Sequence, residues 1–198
     1  PLKSKKNFSL IGKSVPRLDI PKKVNGYAKF GIDIRLPNML YATVKQSPVF
    51  EGDIVSYDEK AAKKIHGVKA IIEVKNGIAV VAENTWSAKK GLEALMPRFH
   101  GGKTKGLNSQ KVKNKLITTL DKEGKVELGG YKVLDLEYEV PFLAHATLEP
   151  MNCTADVKEN FCEVWVPTQN QGKSMDVTKE ITELDEEQIK INTTFLGG

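Results

Sequence analysis

Two seven-residue runs, VKAIIEV (68–74) and GIAVVAE (77–83), are separated only by Lys75-Asn76 and restrict this chain more than any other feature. Both are rich in Val, Ile and Ala, and β-branched residues suit a half-buried pleated surface. A two-residue link ending in Asn with Gly next is a hairpin signal. The flanking residues supply what the hairpin packs against. YATVKQ (41–46), bounded by Pro37 and Pro48, predicts another strand. Ser56-Tyr57-Asp58-Glu59 fits a capping box, and the helix it opens, DEKAAKKIH, stops at Gly67. Asn84 or Thr85 caps a second helix through Met96, with Ala88, Leu92 and Leu95 on one face. Strand, helix, hairpin and helix make a mixed α+β unit over residues 24–96.

Outside that unit the pattern changes. Residues 1–23 hold three prolines and many lysines without a period, which predicts an extended arm or linker. From Pro97 to Leu120 there are six basic residues and no acid, so residues 97–133 read as a basic linker or insertion, with a short helix around Ser109–Leu120. Residues 134–198 then predict a strand at LDLEYEVP, an apolar turn, a hairpin, a helix at about 172–184 and a last strand, IKINTTF. A hairpin around Glu159–Asn160 sets Cys162 opposite Val157 and Cys153 opposite Val166, so no disulfide is expected and both thiols read as small buried groups. Trp86 and Trp165 read as core or half-buried packing residues.

The net charge of +5 hides an asymmetry. Residues 1–133 carry 26 Lys+Arg against 12 Asp+Glu, and residues 134–198 carry 4 against 13. A basic part of this kind suits a nucleic-acid surface, two lobes facing each other, or plain solubility. The first of these also needs aromatic groups among the lysines, and residues 97–120 offer only Phe99, so nucleic acid is not the expected partner. No apolar run is long enough to span a bilayer. The chain opens on Pro1 without a signal-peptide pattern, and localisation stays open between cytoplasm and periplasm.

Most chemical motifs are absent. GGKT (101–104) is not a phosphate loop, because Pro97 stands where the first glycine is required and a helix rather than a strand precedes it. His66, His100 and His145 are too scattered to nominate a zinc site. In FLAHATLEP, His145 and Glu149 are four apart and share a face in one helical turn. Their plain reading is a mutually satisfied polar pair closing a buried turn. A catalytic acid–base pair is the alternative, opposed by Pro150, which ends any helix there. Gln169 and Gln171 lie just past a strand and before a helix, where their plain reading is ordinary helix-start chemistry and the alternative is a place where backbone and side-chain amides converge on a ligand. Gly197 and Gly198 follow the last strand and either let a backbone approach a bulky group or are only frayed ends.

Four blocks together carry a resemblance: LIGKSVPRLDIPKKVNGYAKFGIDIRLPNMLYA (10–42), GVKAIIEV…GIAVVAENTWSAKKGLEAL (67–95), YEVPFLAHATLEPMNCTA (138–155) and VWVPTQNQG (164–172). In this order they resemble the molybdopterin-binding subunit of the xanthine dehydrogenase/aldehyde oxidase family, in particular β-subunits like that of isoquinoline 1-oxidoreductase. Asn38 stands where that family commonly has Gly, and Leu148 where it has Met. The resemblance implies an α/β-hammerhead domain over 24–96 and the first part of a molybdenum-cofactor domain over 134–198. It also implies that the chain is an internal fragment, inactive by itself and without the general base. Gln169 falls beside the molybdenum ligands, Gly197 and Gly198 on the glycine loop that nears the pterin, and His145 and Glu149 at the cavity wall. The implied cofactor is molybdopterin as its cytosine dinucleotide, and the implied partner is a small subunit carrying 2Fe–2S clusters. The implied substrate is an N-heteroaromatic compound or aldehyde, with water as oxygen source. Two other roles compete: a non-catalytic basic binding module, and a scaffold that docks the iron–sulfur subunit.

Overall fold

The computed structural model describes residues 2–122, 129, 130, 132, 134 and 136–198. Their contacts form two units: the segment up to Arg35 together with Ala144–Gly198, and Leu36–Leu143. The first helix, α1 (Ile20–Val24), belongs to the former unit, and the next elements to the latter.

In Leu36–Leu143 the hairpin sits where its sequence places it. β3 (Val68–Val74) and β4 (Gly77–Ala82) pair antiparallel, and β1 (Tyr41–Gln46) pairs with the other edge of β4, giving the order β1-β4-β3. Asn76 turns the chain at φ 56°, in the left-handed region that asparagine tolerates. Asn38, at its glycine-like position, does the same at φ 57°. Central in the sheet, β4 projects Ile78, Val80 and Ala82 to one face, all fully buried. There they meet Ala62 of α2 (Glu59–Lys63) and Leu95 of α3 (Thr85–Leu95), with Tyr57, Val68, Ile71 and Leu92 packed around them. Gly91 lets α3 lie close to the sheet, since a Cβ there would come within 2.8 Å of Val68 and Val80.

The helix caps agree with the sequence in one case and differ in the other. Asn84 caps α3, its side chain accepting from the Ser87 amide at 2.8 Å. The cap of α2 is Asp58, accepting from the Ala61 amide at 2.9 Å, and not Ser56. Ser56 ends β2 (Ile54–Ser56), where it pairs with Arg98 of β5 (Arg98–Phe99), so the strand claims the residue that the capping box needed. Trp86 is also displaced from expectation. It is exposed on the first turn of α3, with the Lys90 ammonium 4.9 Å from its ring centre.

The helix expected around 109–120 is α4 (Ser109–Lys122). The expected strand LDLEYEVP is not one among the described residues. Tyr138, Val140 and Phe142 are more than 80% exposed, and Lys113 of α4 holds Glu137 and Glu139 at 3.0 and 2.6 Å. Alternation without a sheet edge to pair with does not make a strand.

The other unit is built on β6 (Thr154–Lys158), β7 (Phe161–Val166) and β8 (Ile189–Thr193), in that order. The β6–β7 hairpin has the expected register, Val157 facing Cys162. Cys162 is buried with Val164 and Ile189, and burial raises its thiol pKa; Cys153, expected inside, is exposed. β7 and β8 are parallel, and α5 (Gln171–Thr182) makes the crossover that a parallel pair requires. Residues 24–35 make their contacts within this unit. The Phe195 amide donates to Lys29 O at 3.1 Å, and Phe30 bridges Phe195 in parallel. By contacts, Ala144–Gly198 groups with the segment up to Arg35.

No helix among the described residues is long and apolar enough to cross a membrane.

Candidate functional site

Because β7 and β8 are parallel, both strands end at the same edge of the sheet, where Val166 lies opposite Thr193. Pro167–Asn170 leaves from one strand end and Thr194–Gly198 from its neighbour. The region outside the carboxyl ends of parallel strands is where loops of this kind hold ligands. Gln169 lies there, exposed. Its neighbours are fixed: the Thr168 hydroxyl accepts from the Asn170 amide at 3.0 Å, the Asn170 side chain caps α5 through the Lys173 amide at 2.9 Å, and Gln171 Nε2 donates to Thr193 Oγ1 at 3.3 Å. The Gln169 side chain has no hydrogen-bond partner among the described residues. It is a free amide on a held loop.

Gly197 and Gly198 run against residues 147–149. A Cβ on Gly197 would sit 2.4 Å from Glu149 Cβ, and one on Gly198 would sit 3.0 Å from Thr147 Cβ and from the Leu148 nitrogen. The close approach that makes both residues glycine is thus to this segment of the chain.

Glu149 is the centre of that contact. Its Oε2 accepts from the Gly197 amide at 2.8 Å, and its own amide donates to Gly197 O at 3.1 Å. Oε1 accepts from the Ile32 amide at 3.1 Å and from Asn152 Nδ2 at 3.0 Å. Burial pushes the carboxyl pKa up, but hydrogen bonds from Asn152 and from the Ile32, Gly197 and Gly31 amides together hold it below the ordinary glutamate value of 4.5. A depressed carboxylate pKa gives stability that is complete above the unfolded value and lost as pH falls through the folded one. The Gly197 amide resonance should therefore titrate with a midpoint below 4.5. A midpoint at or above 4.5 would contradict this arrangement.

The expected pairing of His145 with Glu149 is absent. His145 is exposed, and no hydrogen bond joins the two. Residues 142–149 are not helical, so a spacing of four does not put them on one face. Nor is the turn an interior one: Phe142, Leu143 and Leu148 are all exposed. Sequence reasoning missed Asn152 and the Gly31-Ile32 amides. Asn152 Oδ1 is buried without a partner, and Gly31 packs against it, as a Cβ there would lie 2.4 Å away. No local pattern marks the Ile32 amide, whose partner Glu149 lies 117 residues away, and Asn152, three residues from Glu149, stands in no motif of its own.

No family model matches the chain. Over 95 residues it is 37% identical to isoquinoline 1-oxidoreductase subunit beta of Brevundimonas diminuta, a match that takes in 48% of this chain and 12% of that protein. It is 41% identical over 68 residues to the nicotinate dehydrogenase large molybdopterin subunit of Eubacterium barkeri, covering 34% of this chain and 16% of that one. The fold matches quinoline 2-oxidoreductase of Pseudomonas putida 86 with a TM-score of 0.68 at 15% identity, over 94% of this chain and 30% of that chain. The chain therefore spans less than a third of each of these three proteins.

Proposed function

We propose that this chain, a relative of the molybdopterin-binding subunits of the xanthine dehydrogenase/aldehyde oxidase family, supplies part of the wall of a molybdopterin site in a molybdenum hydroxylase. What carries the reading is the placement of Gln169 and Gly197 beyond the carboxyl ends of two adjacent parallel strands, together with the relatives. Leu36–Leu143 is assigned as the hammerhead unit, and the β6-β7-β8 unit as the beginning of the cofactor domain.

The residues present fit such a group. Gln169 offers an unpaired side-chain amide that donates without adding charge. Gly197 and Gly198 offer a backbone held from behind by Glu149 and Thr147. The exposed His145, two residues before Thr147, is assigned to the wall of the same site. Bound there as the cytosine dinucleotide, molybdopterin supplies the metal centre that oxidises a carbon next to a ring nitrogen, or an aldehyde, with water as oxygen source. A small subunit carrying 2Fe–2S clusters takes the electrons. Turnover belongs to the longer assembly, and these 198 residues by themselves are expected to be silent.

The test is cofactor content. Protein purified from molybdate-replete cells, in its native assembly, should carry molybdenum by mass spectrometry and release a fluorescent pterin on oxidation. Homogeneous, folded protein with neither would overturn the reading.

A further inference from the structure

We infer that Glu149 is the positioning residue that fixes the Gly197–Gly198 backbone against the cofactor, a role that rests on the molybdopterin reading above. The residue closes two hydrogen bonds with one glycine, accepting the Gly197 N–H on Oε2 at 2.8 Å and donating its own N–H to Gly197 O at 3.1 Å. Its other carboxyl oxygen is committed to the Ile32 amide and Asn152 Nδ2. The side chain is thus held from the amino-terminal segment and from its own loop, and it passes that constraint to the end of β8.

Among the described residues no lysine or arginine forms an ion pair with Glu149, and the groups that donate to its carboxylate are all amides. Amide hydrogen bonds are directional, and a carboxylate held only by them has its position set as well as its charge. Gly197 completes the fit, since any Cβ would displace the side chain that holds it. The glycine and the glutamate form a single device.

Chemistry separates positioning from space filling. Glu149→Gln keeps the volume but replaces one acceptor by an NH2 group. Facing Oε1's partners, that group would oppose two donors; facing Gly197, it opposes one. The amide therefore turns its NH2 towards Gly197 and breaks the lock there, while Ile32 and Asn152 keep their acceptor. Glu149→Asp keeps both acceptors on a side chain one methylene shorter.

In the full native assembly, Glu149→Gln should lower molybdenum and pterin content about 10-fold, the scale on which groups that orient metal-site ligands act. The protein should stay folded with a lowered melting temperature, because the stability tied to the carboxylate goes with it, and Glu149→Asp should retain an intermediate content. Wild-type cofactor content in a folded Glu149→Gln protein would overturn the inference and leave the proposed function standing. A measurement that needs no variant is hydrogen exchange of the Gly197 amide in the wild-type protein. Protection at neutral pH supports the lock, and exchange at the free rate overturns it. If the wild-type protein held no molybdopterin, the proposed function would fall and the positioning role with it, even with Gly197 protected.

Discussion

Leu95→Ala should destabilise the Leu36–Leu143 unit by about 2–5 kcal/mol, the range for a large apolar side chain removed from a close-packed core. Leu95 is fully buried at the end of α3, against Ala62, Ile78 and Val80. Its carbonyl also accepts the Asp58 amide at 2.8 Å, which joins the end of α3 to the start of α2. That bond fixes the backbone on both sides, so the helix cannot slide to fill the space. Lost transfer energy and a residual cavity then add. Leu92, on the same face, is only partly buried, and Leu92→Ala should cost clearly less. Urea unfolding followed by circular dichroism measures both. A loss under about 1 kcal/mol for Leu95→Ala, or a larger loss for Leu92→Ala, would mean that α3 does not pack as described.

The parts of the fold that were legible are those whose causes lie within a few residues. The β3–β4 hairpin follows from two β-branched runs and Asn76; α3 from Asn84 and the spacing of its apolar residues; the β6–β7 register from the Glu159–Asn160 turn. Errors arose where a distant partner decided. Ser56 lost its capping role to a strand pairing with Arg98. LDLEYEVP has the alternation of a strand and no edge to pair with. FLAHATLEP looked like interior because its residues are apolar, yet composition does not say whether another surface covers them. The candidate site was legible in its residues and not in its links. Gln169, Gly197 and Glu149 were each singled out, but the lock between Glu149 and Gly197 spans 48 residues and follows from the parallel β7–β8 topology. Periodicity cannot reveal a hydrogen bond of that kind.

The largest effect on function is expected at Gln169. If the molybdopterin reading holds, Gln169→Ala in the native assembly should lower turnover by about 10-fold to 1000-fold, the scale for losing one oriented donor at a site of developing charge. The side chain is exposed beyond the end of β7 and bonds to no described residue, so its removal costs the fold almost nothing. Its backbone stays in place, because Thr168 and Asn170 hold the loop independently of it. Molybdenum and pterin content should therefore remain near wild type, in contrast to Glu149→Gln, where content falls first. The two variants part along different axes, one losing rate with cofactor kept and the other losing cofactor with fold kept. Gln169→Glu sharpens the test, since it retains size and adds a negative charge where a donor is needed, and it should be at least as slow as the alanine variant. Normal turnover with normal cofactor loading in Gln169→Ala would remove this residue from the site, and would leave the Gly197–Gly198 backbone to carry the assigned approach to the cofactor.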